Sequence, residues 1–299
     1  MKPVRTPVLY VLMFSAMILW GLSWTNGKIL GGYVEAPILM FWRFIFSAAA
    51  LFPLMVFLGI PAALSKKSFG HVILGAIFLT LYNILYFTGT KIGNAGAGGV
   101  LVTTLNPLLT FFFTTMFLRY KLTLKDGIGL ALGFCGCLIM LNIWQISKDL
   151  LLQSGNLYFL LCATVWAFLT ITTSRARDHM SVLNFSFWTF LLSAFITLPF
   201  IQVTPLIIFE MDTTFWWNLV SISFGAMAFG TTIYFIGAAQ LGSEKASSFI
   251  FTVPLFAMGF SMIFLDERLT WATAAGGALA MAAVYMINQR IAIKIDPDQ

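Results

Sequence analysis

The sequence predicts an all-α membrane protein of ten transmembrane helices, built as two five-helix repeats of inverted topology. Three observations carry that prediction. Of 299 residues, 60% are apolar and only 9% are charged, against roughly 25% charged in an ordinary soluble domain. The apolar residues fall into ten blocks of about 20, the length that crosses a hydrocarbon layer as a helix. Landmarks of the first half recur in the second at a nearly constant offset. A chain this poor in charge cannot cover itself with polar groups. That excludes a soluble enzyme, a secreted disulfide scaffold and a disordered protein. Continuous apolar blocks exclude a β-barrel, whose strands alternate polar and apolar residues.

The spans read in order as 8–30, 36–58, 70–90, 96–118, 124–143, 155–174, 181–203, 215–239, 246–265 and 270–290. The first follows Lys2 and Arg5, is too long for a signal-peptide core and has no small-x-small cleavage site, so it is expected to be retained. Gly31-Gly32 closes it. The second holds Arg43 and Pro53 and ends before Pro61 and Lys66-Lys67. The third carries Tyr82, Asn83 and Tyr86. The fourth holds Pro107 and runs into a polar break from Arg119 to Asp126. The fifth presents Gly129-x-x-x-Gly133-x-x-Gly136 and the tenth Gly276-x-x-x-Ala280, small residues that let helices approach closely. Lys148-Asp149, Arg175 to His179 and Glu210 to Asp212 punctuate the fifth to eighth spans. Every break is short, so no soluble domain is expected. The repeats are bounded at 8–143 and 155–290.

Ten spans place both termini on one side. With the N-terminus inside, twelve of the 17 Lys and Arg fall at inner breaks, four at outer ones, and Arg43 lies within a span. The acidic residues Glu35, Asp149, Glu210, Asp212, Asp266 and Glu267 fall outside. The positive-inside rule then puts both termini in the cytoplasm of a cell whose inner (plasma) membrane the chain crosses.

The repeat is visible residue by residue. Trp20 and Trp166, Phe41-Trp42-Arg43-Phe44 and Phe187-Trp188-Thr189-Phe190, and Pro53 and Pro199 are each separated by 146 positions. Pro107 and Pro254, and Leu118–Thr123 and Leu265–Thr270, are separated by 147. Each half has an odd number of spans, so the second enters the membrane from the opposite side. The charges agree: the basic Arg119-Tyr120-Lys121 break has the net acidic Asp266-Glu267-Arg268 as its counterpart. Inverted repeats of this kind are characteristic of secondary transporters that bind a solute at mid-depth between the halves.

A transported solute needs polar and aromatic groups facing a cavity within the apolar wall. In the first span, Trp20, Ser23, Trp24 and Gly27 share one helical stripe; the alternatives are cavity lining, or packing with interfacial Trp anchors. In the third, Tyr82 and Tyr86 share a face and Asn83 stands one step round it. In the fourth, Thr103, Thr104 and Asn106 precede Pro107, which frees a carbonyl one turn back. Thr252 and Pro254 repeat that arrangement, so Pro107 and Pro254 are candidate paired hinges. These threonines either meet solute or bond their own helix backbone. Trp166 brings Thr170 at i+4, and Trp188 and Tyr234 add further aromatic candidates. Arg43 either snorkels to the outer interface or holds a substrate carboxylate in a bidentate grip. No Asp or Glu lies at a span centre, which disfavours coupling through a buried acid.

Other chemistries find little support. Cys135, Cys137 and Cys162 sit in apolar segments and read as buried small hydrophobes. His71 and His179 each lack a neighbouring His or Cys in sequence, which argues against a metal. The net charge of +6 is scattered, so no face could follow a nucleic-acid backbone. Gly93 to Gly99 has neither a strand before it nor a lysine after it, so it is no nucleotide loop. A membrane enzyme would need paired carboxylates or a His cluster, and neither is found. A receptor or assembly subunit without flux is a further alternative.

Each half resembles one EamA domain of the drug/metabolite transporter superfamily. The resemblance rests on Trp20-Gly21 in the first span, on the apolar-Trp-Arg-Phe second span, and on a Gly-x-x-x-Ala lead into the Pro-containing fourth. It rests also on Glu267-Arg268-Leu269-Thr270, where Tyr120 replaces the glutamate in the first half. Tyr82-Asn83-x-x-Tyr86 is similar to the third span of the aromatic and neutral amino-acid exporter (YddG-like) branch. The resemblance implies a non-enzymatic exporter of small metabolites, amino acids first among them, working by alternating access. It implies a small-molecule substrate and a lipid bilayer as partners, no cofactor or metal, and a monomer or homodimer.

Overall fold

A computed structural model describes residues 5–118, 124–141, 144, 155–176, 178–241, 249–250 and 252–293. Within them the first half forms α1 (Thr6–Gly31), α2 (Ala36–Phe57), α3 (Lys66–Ile92), α4 (Ala95–Leu118) and α5 (Leu124–Met140). The second forms α6 (Asn156–Ala176), α7 (Val182–Thr197), α8, α9 (Val253–Phe264) and α10 (Trp271–Ile293). In α8, the helices Thr213–Val220 and Thr231–Leu241 are joined by a π-wound stretch, Ser221–Gly230. The polar breaks at Arg119–Lys121 and Lys148-Asp149, and Lys2, Arg177, Lys245 and Lys294, lie outside the described residues.

Local chemistry sets the helix starts. Ser65 Oγ accepts from Ser68 N at 3.2 Å at the head of α3. Ser181 and Asp212 do the same for α7 and α8, accepting from Asn184 N at 3.3 Å and Phe215 N at 2.8 Å. Each satisfies a backbone donor that the first turn leaves free. One end departs from the sequence expectation: α7 stops at Thr197 rather than running to 203. A 3₁₀ turn, Leu198–Phe200, carries Pro199 in its first turn, and a second, Pro205–Glu210, follows. Two prolines so close withhold backbone donors that a continuing helix would need. Its repeat mate Pro53 stays inside α2.

The packing pattern is unchanged when the halves are exchanged. α2 packs on α7, α4 on α9 and α5 on α10. The α3–α6 contact has its mate in α8–α1, α4–α6 in α9–α1, and α3–α7 in α8–α2. A two-fold relation between the halves requires this. Helices α5 and α10 cross closely. A Cβ on Gly136 would lie 2.7 Å from the Gly276 carbonyl oxygen, and one on Gly276 2.5 Å from that of Gly136. The small-residue motifs therefore bring two backbones into direct contact, and α5 and α10 form an outer pair beside the other eight helices.

Two further sequence expectations change. Cys135 is exposed on the bundle surface, whereas Cys137 and Cys162 are buried as expected. His71 and His179, distant in sequence, stand with ring centroids 5.6 Å apart at the end where α1 begins. Among the described residues no group of three or more His, Cys, Asp or Glu is assembled.

Candidate functional site

Between the halves the helices leave a cavity of about 430 Å³. Its wall draws on α1 to α4 and on α6 to α9. The middle is aromatic. Trp20 and its repeat mate Trp166 meet edge to face, ring centroids 6.4 Å apart. Tyr82 lies against Trp166 at 4.6 Å and Tyr234 against Trp20 at 5.2 Å. Each pair joins helices of opposite halves in the tilted geometry that aromatic quadrupoles favour.

Polar groups stand among these rings. Ser23, Arg43, Asn83, Thr103, Asn106 and Thr170 all line the cavity, with Trp24 and Pro107. Thr103 donates to Gly99 O at 2.6 Å, Thr170 to Trp166 O at 2.9 Å and Ser23 to Trp20 O at 2.7 Å. The hydroxyl protons are thus held by their own helices, and their oxygens still have lone pairs to offer. Asn106 Nδ2 donates across to Ala163 O at 3.4 Å. Pro107, inside α4, removes the N–H that the Thr103 carbonyl would otherwise receive.

Six of the sequence-selected residues stand elsewhere: Gly27, Tyr86, Thr104, Trp188, Thr252 and Pro254; Thr104 is buried and donates to Val100 O at 2.7 Å. Tyr86 is buried behind the wall: its hydroxyl donates to the Ser23 carbonyl and its ring meets Trp24 at 5.0 Å. Gly27 makes that fit possible, since a Cβ there would lie 2.5 Å from the Tyr86 hydroxyl. Trp188 packs edge-on against Phe187 at 5.4 Å. Thr252 donates to Phe249 O at 2.7 Å. Pro254 occupies the first turn of α9, where a missing N–H costs nothing. It does not match Pro107 in the interior of α4.

Several lining residues went unselected: Thr110, Thr173, Ser186, Thr189 and Thr231. The repeat held the signal for one of them. Thr189 is the position-for-position mate of Arg43, and its hydroxyl oxygen is buried without a partner. Thr173 follows Thr170 by one helical turn.

The π-wound part of α8 has no counterpart in the side-chain pattern. Its i→i+5 geometry misaligns backbone carbonyls, and side chains of other helices take them up. Trp20 Nε1 donates to Ala226 O at 2.9 Å, and Ser47 Oγ donates to Ser223 O at 3.0 Å. Ala226 and Met227 line the cavity, so the irregular turn sits where the wall meets the aromatic layer.

The cavity is closed on one side. Its lining extends from mid-depth toward the end where α1 begins, through Phe111, Thr173, Phe185, Ser186 and Ile250. At the other end a charged cluster ties the halves together. Glu267 accepts from Ala95 N and Gly96 N, both at 2.8 Å, and so caps the N-terminus of α4. Lys28 stands 3.5 Å from the same carboxylate and donates to Gly93 O. Asp266, at φ 54°, turns the chain in the left-handed region and aims Glu267 back at α4. Below this cluster Trp24 and Phe159 pack at 5.9 Å. Gly98 and Gly99 leave room for them: a Cβ on either would fall 2.4 Å from the Phe159 ring or 2.5 Å from Ala257 Cβ. At the rim the Tyr33 hydroxyl donates to Asp212 at 2.9 Å, and that carboxylate raises the phenol's pKa.

A helical bundle of two related halves around a mid-depth aromatic and polar cavity is the architecture of a membrane transporter. Comparison with known proteins agrees. The EamA-like transporter family model matches residues 8–142 and again 153–289, so the chain belongs to that family. It is a multi-pass membrane transporter of small molecules, not an enzyme. It is 25% identical to the uncharacterized transporter YyaM of Bacillus subtilis over 84% of each chain. It is 23% identical to the uncharacterized transporter YoaV of the same organism, over 92% of this chain and 94% of that one. A stretch covering 58% of this chain and 56% of its counterpart is 27% identical to the S-adenosylmethionine uptake transporter of Rickettsia prowazekii. A solved crystal structure superposes with a TM-score of 0.66 over 98% of this chain and all of that one, at 18% identity, and shares the fold.

Proposed function

We propose that this transporter exports small amphipathic metabolites, amino acids with aromatic or neutral side chains first among them, by alternating access through the cavity between its repeats. One observation carries the reading. The aromatic and polar cavity at mid-depth is sealed at one end by the Glu267 cluster, while its lining extends toward the other. Among the described residues the sealed end bears Lys28, Lys91 and Arg268, and the other bears Arg5, Lys66, Lys67, Lys125, Arg175 and Arg290. The positive-inside rule makes the latter cytoplasmic, so the cavity is reached from the cytoplasm and both termini lie there. Among the described residues the lining includes no Asp, Glu or His, which disfavours coupling through a buried acid. The Trp20, Trp166, Tyr82 and Tyr234 rings receive the apolar part of the solute, and Ser23, Asn83, Thr103, Asn106 and Thr170 its polar part.

Trp166→Ala removes the ring that touches both Trp20 and Tyr82, and Tyr82→Phe removes one hydroxyl while keeping the ring. Both variants are expected to express as the parent does. In vesicle transport assays, Trp166→Ala should weaken aromatic against small neutral amino acids by roughly tenfold, the worth of one lost aromatic contact. Tyr82→Phe should change the ranking among polar solutes. Parental selectivity in both variants would remove these rings from the solute's path.

A further inference from the structure

Among the described residues that line the cavity Arg43 is the one cation, and it is 7% exposed. It does not snorkel. Its guanidinium turns to α3, with Nη1 donating to Asn83 Oδ1 at 2.9 Å. Its carbon centre lies 5.4 Å from the Tyr86 ring and 5.7 Å from that of Phe87. Asn83 is itself oriented, with Nδ2 donating to Leu79 O at 2.8 Å. No carboxylate faces the guanidinium: the ion pairs among the described residues are Lys28–Glu267 and Lys91–Glu35. Nε is buried with no partner at all.

This arrangement is physically incomplete. A guanidinium does not shed its proton in a protein, so burial cannot neutralise it as it can a lysine. An unpaired buried charge is costly, and one amide oxygen with two ring faces offsets only part of that cost. We propose that Arg43 is an anion subsite and that the transported molecules carry a single carboxylate which completes it. The planar fork of N–H groups matches a carboxylate's two oxygens. A single cation, with no second Lys or Arg among the described lining residues, fits one negative charge rather than a doubly charged phosphate ester. The neighbouring Trp and Tyr rings take the rest of the molecule. The repeat makes the subsite one-sided, because the mate of Arg43 is Thr189, so the solute enters in one orientation. The inference rests on the transport reading above and narrows its substrate class.

The test uses purified protein in liposomes and matched probes: L-phenylalanine with L-phenylalaninamide, and phenylacetate with phenylacetamide. Each competes against a labelled solute that the protein transports. The acids should compete at least about tenfold better than the amides in the parent. Arg43→Gln should abolish that preference, and Arg43→Lys should keep part of it. Equal competition by acid and amide in the parent, a measurement that needs no variant, would overturn the subsite. So would an undiminished preference in Arg43→Gln. Flux confined to molecules without an acid group overturns the carboxylate subsite and leaves the transport reading standing. Absence of flux for every solute tried overturns both.

Discussion

Glu267→Ala is expected to open the sealed end of the cavity. The carboxylate does three things at once there: it caps two backbone N–H groups of α4 and pairs with Lys28. Charge-assisted hydrogen bonds of this kind contribute roughly 1.5–3 kcal/mol each. Their loss should shift the balance between conformations by about 3 kcal/mol, on the order of 100-fold. Glu267→Gln keeps one acceptor and should fall between. The repeat explains why the effect is large. At the matching positions of the repeat, Tyr120 of the first half stands for Glu267 and Ser174 of the second half for Lys28. The ionic clasp bridges the halves at one end of the bundle only, and the arrangement sealed at that end is favoured by an interaction its opposite cannot copy. A Thr103→Cys reporter, in a background with Cys135, Cys137 and Cys162 changed to Ala, measures the shift. An impermeant maleimide applied from the clasp side should label it tens of times faster in Glu267→Ala than in the parent. Equal labelling rates would show that the clasp does not hold the seal.

Asn83→Leu is expected to destabilise the protein by about 3 kcal/mol or more. It removes the acceptor of Arg43 Nη1 and leaves a fully charged guanidinium against apolar neighbours, which is the costly way to break a buried polar contact. Leucine keeps asparagine's branched skeleton, and the double variant below separates any packing cost from the loss of the acceptor. The double variant Arg43→Met/Asn83→Leu removes both partners and should regain most of the lost stability, while losing any preference for acids over amides. Thermal unfolding of the detergent-solubilised protein reads the first effect and competition assays the second. If the single variant is as stable as the parent, the Arg43–Asn83 bond is not what holds the charge.

How much of this was legible in the sequence depends on whether a feature was written in side chains. The spans were, because an apolar block of helical length has one reading in a chain so poor in charge. The Trp20–Trp166 meeting was also implicit. Residues related by a two-fold axis and placed at mid-depth on helices next to that axis must approach each other. The same logic pointed to Thr189 through Arg43. Three features were hidden for identifiable reasons. The π-wound segment of α8 is a matter of backbone registration, and the Ser223 and Ala226 carbonyls that accept from Ser47 and Trp20 leave no mark on the periodicity. Tyr86 shares a helical face with Tyr82, yet only the glycine at position 27 on a different helix decides that its hydroxyl turns away to Ser23. Pro254 mirrors Pro107 in the alignment of the repeats. Helix α9 nevertheless begins at Val253, so the second proline starts a helix where the first interrupts one.

Alternating access requires that a solute pass through this cavity by exposure to one side and then the other. Counterflow with the purified protein tests it most directly. Liposomes preloaded with an unlabelled amino acid receive a trace of the same amino acid, labelled, outside, across a panel of aromatic and neutral members. Transient, saturable accumulation of label is expected, dependent on the preload and fastest for the aromatic members. Binding of panel members without any preload-dependent accumulation would contradict it.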